Sequence, residues 1–193
     1  VDRDLSLEEI KEKLNNGEEY VIRLRSDGDP NKTVEFVDLI KGKMKFPEND
    51  EDFVLLKKDG VPTYHFAHAI DDHLMHTTHV IRGDEWVSSI PKHVQLFKML
   101  EFKRPEYAHI APITIKDSET GTIRKLSKRK DPWAGAIYYE EKGIPIDALH
   151  LYLATITNSN FEEWYIANNE KDVSEFEFNF SKHAVGGTSF DEA

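Results

Sequence analysis

Alternation and helical spacing divide the chain into elements before its composition is considered. Leu7, Ile10 and Leu14 share a helical face behind Ser6, and Glu9 stands three residues after Ser6. This predicts a capped helix starting at Ser6 and ending at Asn15-Asn16-Gly17. Tyr20-Val21-Ile22-Arg23-Leu24-Arg25 alternates as a strand with Arg23 and Arg25 on one side. A turn-forming run from Ser26 to Asn31 follows, then two more strands over 33–40 and 41–47. Residues 53–56 read as an apolar strand and Lys58-Asp59-Gly60 as a tight turn. From Pro62 the spacing becomes helical, and Tyr64 and His68, four apart, share a face. Residues 79–83 read as a short buried strand ending at Arg82-Gly83. A helix is predicted over 91–100, with Pro91 in its first turn, and one strand over 107–115. Helices then follow over 133–143 and 144–156, and a third begins at Phe161. Phe176, Phe178 and Phe180 alternate as a short strand, and 184–188 read as a loop. The order strand, helix, strand, loop, helix indicates an α/β unit with parallel strands.

Composition narrows the class. The 193 residues suffice for one large or two small domains, and 32% charged with 39% hydrophobic residues describes a globular protein. No apolar run approaches the roughly 18 residues of a membrane helix, and the start lacks the pattern of a signal peptide. The chain has no Cys, which excludes disulfides and thiolate metal sites and fits a reducing, cytoplasmic setting. A net charge of -11 argues against diffuse nucleic-acid binding, so any nucleic acid must meet a local basic face. Arg23, Arg25, Lys41, Lys43 and Lys45 alternate along the early strands as candidates for such a face; ordinary solvated strand faces are the plain alternative.

One run stands against the acidic background. Arg124-Lys125-Leu126-Ser127-Lys128-Arg129-Lys130 carries five cations in seven residues, between the turn at 116–121 and Asp131-Pro132-Trp133. Two lysines three apart with a hydroxyl between them can hold a polyphosphate. Lys125-Leu126-Ser127-Lys128-Arg129 resembles the Lys-Met-Ser-Lys-Ser signature loop of class I aminoacyl-tRNA synthetases, in the form typical of glutamyl-tRNA synthetases. Pro62-Thr63-Tyr64, Asp71-Asp72-His73 and Thr78-His79-Val80-Ile81-Arg82-Gly83 resemble the second half of the same catalytic domain. The resemblance runs from about Tyr20 to the C-terminus.

The resemblance implies a fold and a set of roles. The fold is the second half of a class I Rossmann-type α/β domain, preceded by part of a β-rich insertion and followed by a small helical region. The expected divisions are 1–50 for the end of the connective-peptide insertion that grips the tRNA acceptor end, 51–143 for the catalytic half, and 144–193 for the start of the stem-contact region. Lys128, supported by Lys125, is the expected catalytic cation on ATP phosphates, with Ser127, Arg129 and Trp86 also toward ATP. Tyr64, His68 and Arg82 are the expected glutamate pocket. Arg82 suits it chemically, because a guanidinium binds a carboxylate through two parallel hydrogen bonds and offers an amide no anionic partner. Many bacterial relatives carry Asn where this chain has His68, and glutaminyl enzymes carry His there. Arg23, Arg25 and Lys43 are candidate tRNA contacts. Expected partners are L-glutamate, tRNA(Glu) and ATP with its Mg²⁺; no zinc site and no membrane are expected, and the full-length enzyme is expected to be a cytoplasmic monomer.

The family's second signature, His-x-Gly-His, is not in the sequence, and no initiator Met is present, so the chain is expected to be an internal segment, inactive alone. Three other readings stand beside this one: a glutaminyl or dual-specificity synthetase, a paralogue that glutamylates a modified tRNA nucleotide, and a non-catalytic RNA-binding or assembly module.

Overall fold

The structure is a computed structural model and describes residues 2–190. In chain order its elements are α1 (Leu7–Asn15), β1 (Ile22–Arg23), β2 (Thr33–Asp38), β3 (Gly42–Pro47), β4 (Val54–Leu56), α2 (Tyr64–Leu74) and β5 (His79–Gly83). After a 3-10 turn at Asp84–Ser89 come α3 (Ile90–Met99), β6 (Glu106–Ile110), β7 (Ile113–Lys116) and β8 (Ile123–Lys125). The last part holds α4 (Ala136–Glu141), α5 (Ile146–Thr157), α6 (Phe161–Ala167) and β9 (Thr188–Ser189). Strands pair as β1 with β4, β2 with β3, β5 with β6, and β8-β7-β9 as a three-stranded sheet. The backbone forms two compact units that alternate along the sequence.

The first unit comprises the described residues up to Phe36, with Met44–His79 and Ser88–Glu106. Its core is Leu24, Phe53, Ala69, Leu96 and Phe97, with Leu55, Phe66, Leu100 and Phe102 packed against it. Both residues of β1 are exposed, and just beyond it Leu24 is buried between exposed Arg23 and Arg25. Ladder pairing is shorter than the sequence predicts, with only Ile22 and Arg23 opposite Leu56 and Val54. Helix α1 begins as predicted. The Ser6 N–H donates to Glu9 Oε2 at 2.7 Å, and the Glu9 N–H donates to Ser6 Oγ at 3.3 Å, a closed capping box. A buried polar ring also crosses this unit: Ser26 Oγ donates to the Asn49 carbonyl (2.5 Å), Asn49 Nδ2 to Gln95 Oε1 (2.8 Å), and Gln95 Nε2 back to Ser26 Oγ (2.8 Å).

The second unit comprises Val37–Lys43, Val80–Val87 and the described residues from Tyr107 onward. Strand β6 is its most buried segment, with Tyr107, Ala108 and His109 almost inaccessible to solvent. Strand β7 lies in the middle of its sheet. It runs antiparallel to β8, with Thr114 opposite Lys125 and Ile115 opposite Arg124, and parallel to β9, with Ile113 opposite Thr188. Phe161 is fully buried at the start of α6, ringed by Trp164, Tyr165 and Phe176.

Several expectations are corrected. Residues 79–83 form a strand, but its positions are exposed or half-buried, as suits a two-stranded pair with one open face. The single strand expected over 107–115 is two strands, broken at Ala111-Pro112, because Pro112 has no N–H to give a ladder. The helix over 133–143 is interrupted at Gly135, with a 3-10 turn at Pro132–Ala134 before α4. Phe176, Phe178 and Phe180 form no strand among the described residues. Two caps close the chain into 3-10 turns there: Asp172 accepts from the Ser174 N–H, and Asn179 from the Ser181 N–H. The loop expected over 184–188 ends in β9. Of the registers described, only β7 with β9 is parallel; β1 with β4 and β7 with β8 are antiparallel.

Candidate functional site

The basic run begins on β8 and continues into a closed turn. Its first cation, Arg124, is consumed by structure. Arg124 Nε donates to Asp117 Oδ2 (2.9 Å), while Nη1 and Nη2 donate to the two oxygens of Asp131 (2.7 Å each). This is a bidentate, charge-assisted pair. Asp131 is buried, and it also accepts from the Ser127 N–H at 2.8 Å. The Ser127 carbonyl in turn accepts from the N–H groups of Lys130 (2.9 Å) and Asp131 (2.7 Å). The Arg124 guanidinium holds the Asp131 carboxyl down at about 2 against the opposing effect of burial, with the Ser127 N–H assisting. Arg124, with the Thr120 and Glu119 N–H groups, holds Asp117 well below the usual carboxylate range. Asp131 and Asp117 together raise Arg124 above its ordinary value.

That brace fixes the backbone from which the family's signature residues project. Lys125 Nζ lies 3.3 Å from Glu85 Oε1. Ser127 is half-buried, and Lys128 and Arg129 are exposed. Among the described residues no carboxylate forms an ion pair with Lys128 or Arg129. The donor set of cations and a hydroxyl fits a polyphosphate.

A second centre in the same unit surrounds Arg82, near the end of β5. Arg82 Nε donates to His109 Nε2 at 3.1 Å, and His109 Nδ1 lies 2.6 Å from Asp38 Oδ2. Asp38 and His109 are both fully buried. Burial raises the Asp38 carboxyl, but the His109 ring and the N–H groups of Lys41, Ile40 and His109 outweigh it and leave Asp38 below its ordinary value. The Arg82 guanidinium also lies over two aromatic faces, 5.0 Å from the Tyr107 ring centre and 5.7 Å from that of Trp86. Trp86 is half-buried on the 3-10 turn after β5.

Tyr64 and His68 belong to the first unit, on α2. Their rings stack with centres 5.8 Å apart and planes within 2°. His68 is buried against His93 and Phe97 of α3, and its Nδ1 meets Asp72 one turn on. His65 Nδ1 shares a hydrogen with His93 Nε2 at 2.9 Å. His68 thus packs as much as it presents, whereas Tyr64 keeps nearly half its surface exposed. Of the candidate tRNA contacts, Arg23 donates to the Asp52 carbonyl (2.9 Å), Arg25 pairs with Asp4 (3.3 Å), and Lys43 is exposed on β3. The neighbouring Lys45 and Lys41 are paired with Glu35 and Asp84. These faces are therefore neutralised locally more than the alternation of cations implies.

Sequence reasoning missed Asp38, His109, Asp117 and Asp131. A signal existed for two of them. His109 is the lone polar side chain between Ala108 and Ile110 in an apolar strand, and Asp38 interrupts the run from Phe36 to Ile40.

Comparison with known proteins agrees with this picture. The family model described as tRNA synthetases class I (E and Q), catalytic domain, matches residues 2–186. The chain is 54% identical over 189 residues to the glutamate–tRNA ligase of Clostridium beijerinckii, covering 98% of this chain and 34% of that protein. It is 51% identical over 201 residues to the glutamate–tRNA ligase of Sorangium cellulosum, covering 98% and 35%. The chain thus spans about a third of the length of the curated relatives it matches. Among solved structures it is similar to a glutamate tRNA ligase of Elizabethkingia meningosepticum in complex with its amino acid, with a TM-score of 0.79, 32% identity, and coverage of 97% of this chain and 39% of that one. A signature loop braced for display, an α/β fold shared with solved ligases and a match over nearly the whole length have one explanation: the chain belongs to the class I tRNA synthetases of the E and Q type and matches their catalytic domain.

Proposed function

We propose that the chain is a segment of a cytoplasmic glutamate–tRNA ligase, which joins glutamate to AMP with release of pyrophosphate and then passes the glutamyl group to the 3′ end of tRNA(Glu). The observation that carries the reading is the loop, in which one arginine is fully committed to two aspartates so that Ser127, Lys128 and Arg129 project from a fixed turn. ATP supplies the phosphoanhydride whose cleavage drives the joining. Lys128 meets the phosphate oxygens as a point charge, Ser127 and Arg129 add donors, and Lys125 supports the loop. Trp86 lines the pocket toward adenosine. No side-chain nucleophile is needed, since the glutamate α-carboxylate itself attacks the α-phosphate; the residues position the reactants and stabilise charge. Mg²⁺ enters with ATP, and among the described residues no cluster of three ligating side chains could hold a metal by itself.

Arg82 is the proposed partner of the glutamate side-chain carboxylate, and Tyr64 and His68 the proposed further contacts to the amino acid. Residues 1–50 are assigned to the acceptor-stem insertion, with Arg23, Arg25 and Lys43 toward tRNA, 51–143 to the catalytic half, and 144–193 to the start of the stem-contact region. The full-length enzyme is assigned as a monomer. No helix of the described residues is long and apolar enough to cross a membrane.

The test is ATP–pyrophosphate exchange by the full-length protein with glutamate or glutamine, with and without tRNA, in wild type and Arg82→Ala. The reading expects exchange with glutamate that the substitution abolishes. Exchange with glutamine that survives Arg82→Ala makes the protein a glutaminyl or dual-specificity enzyme. Full-length protein that binds no ATP makes it an RNA-binding or assembly module.

A further inference from the structure

We infer that Asp38 and His109 are positioning residues for Arg82: the tautomer that Asp38 imposes on His109 sets the plane in which the Arg82 guanidinium meets its anionic ligand. The inference rests on the reading of Arg82 as the glutamate carboxylate partner and extends it to two residues that touch no substrate.

Hydrogen-bond chemistry admits one arrangement. An ionised carboxylate only accepts, and an arginine Nε–H only donates. His109 stands between them, with Nδ1 2.6 Å from Asp38 Oδ2 and Nε2 3.1 Å from Arg82 Nε. The ring must therefore be neutral, with its proton on Nδ1 and its lone pair on Nε2 toward Arg82. An imidazolium, or the other tautomer, would set N–H against N–H at that contact.

The chain is anchored at its far end. Asp38 Oδ1 accepts from the Ile40 N–H (3.0 Å) and the Lys41 N–H (2.9 Å), and the His109 N–H reaches both oxygens at 3.2–3.3 Å. The Tyr107 ring stacks on His109 at 5.9 Å with planes 5° apart, and also lies under the guanidinium. A fixed Nε–H direction and an aromatic floor together restrict a planar guanidinium to one orientation. An arginine so held gives up less rotamer freedom on meeting a carboxylate, and it offers its fork in one plane. A buried polar chain can also serve folding alone, so the test must separate the two roles.

Asp38→Asn is the sharpest probe. Its carbonyl can keep the backbone N–H bonds, while its amide nitrogen donates to Nδ1 and pushes the ring proton to Nε2, the wrong tautomer. In full-length protein we expect KM for glutamate to rise about tenfold to a hundredfold, with the effect on KM for glutamate rather than on KM for ATP. His109→Leu should do the same. His109→Gln, whose amide oxygen can accept from Arg82 Nε, should recover part of that loss. The ¹⁵N resonances of the His109 ring should report a proton on Nδ1 in wild type and on Nε2 in Asp38→Asn. If Arg82→Ala abolishes exchange with glutamate while a folded Asp38→Asn leaves KM for glutamate unchanged, the positioning role is wrong and the reading of Arg82 stands. If Arg82→Ala leaves KM for glutamate unchanged, the reading of Arg82 falls and takes this inference with it. Should His109→Leu fail to fold, Asp38→Asn and the ring spectrum still decide, and a wild-type ring protonated on Nε2 overturns the inference.

Discussion

Two arginines of the second unit, Arg124 and Arg82, are both oriented by buried aspartates, but by different routes. Arg124 touches its acids directly, with a bond to Asp117 and a fork onto Asp131. Arg82 is linked to Asp38 through the His109 ring, which bonds its Nε, while aromatic rings lie against its faces. Direct contact neutralises a cation and makes it a strut. An imidazole relay fixes direction without bringing the acid's charge into contact with the guanidinium. One device suits a residue that holds a loop, the other a residue that holds a ligand.

The comparison can be broken at either arginine. The largest effect is expected from Arg82→Lys. It keeps the charge but loses both the fork and the Nε–H to His109, so kcat/KM for glutamate should fall about 10²- to 10³-fold. A Lys that works as well would mean charge alone is read. Lys128→Ala should come next, with kcat down about 10²-fold and KM for glutamate little changed, measured in single-turnover adenylate formation. Arg124→Lys should raise KM for ATP about tenfold, since Lys lacks the planar fork that grips both Asp131 oxygens while bonding Asp117. If it raised KM for glutamate instead, the division of labour between the arginines would be wrong.

Acid gives a smaller effect with a defined sign. Asp131 and Asp117 titrate below their ordinary values in the fold, so their contribution to the brace is complete above the ordinary carboxylate range near pH 4. The Asp131 part is lost as pH falls through its folded value, about 2, and the Asp117 part only at lower pH. The Arg124 Nη–H resonances should therefore stay protected at pH 4 and lose protection as pH falls through about 2. The least effect is expected from Ser6→Ala, which opens the α1 capping box at an exposed site. It should cost that helix about 1 kcal/mol by amide exchange and leave both KM values alone.

Legibility in the sequence followed the range of the interactions. The Ser6–Glu9 box was readable because both partners sit within one turn. The signature loop was readable because its residue types are themselves the chemistry. The role of Arg124 was not, since counting cations cannot tell which of them a neighbouring acid will claim. Asp38 and His109 stand 71 residues apart, and only the packing of β6 against the chain near Leu39 joins them, through the Leu39 N–H and the Tyr107 carbonyl at 2.8 Å. The Phe176-Phe178-Phe180 alternation misled because side-chain caps at Asp172 and Asn179 outcompeted a strand that had no neighbour to pair with.

The parallel pairing of β9 with β7 carries a consequence for synthesis. Thr188 lies opposite Ile113, so β7 leaves the ribosome long before its second neighbour exists. At roughly 5–20 residues per second, that flank stays open for about 4–15 seconds. During that time β8 can pair on one side, while the other presents bare backbone beside Ile113 and Ile115. Slowing translation through this stretch should lengthen the exposure, and a chaperone that binds extended apolar segments would have its opportunity there.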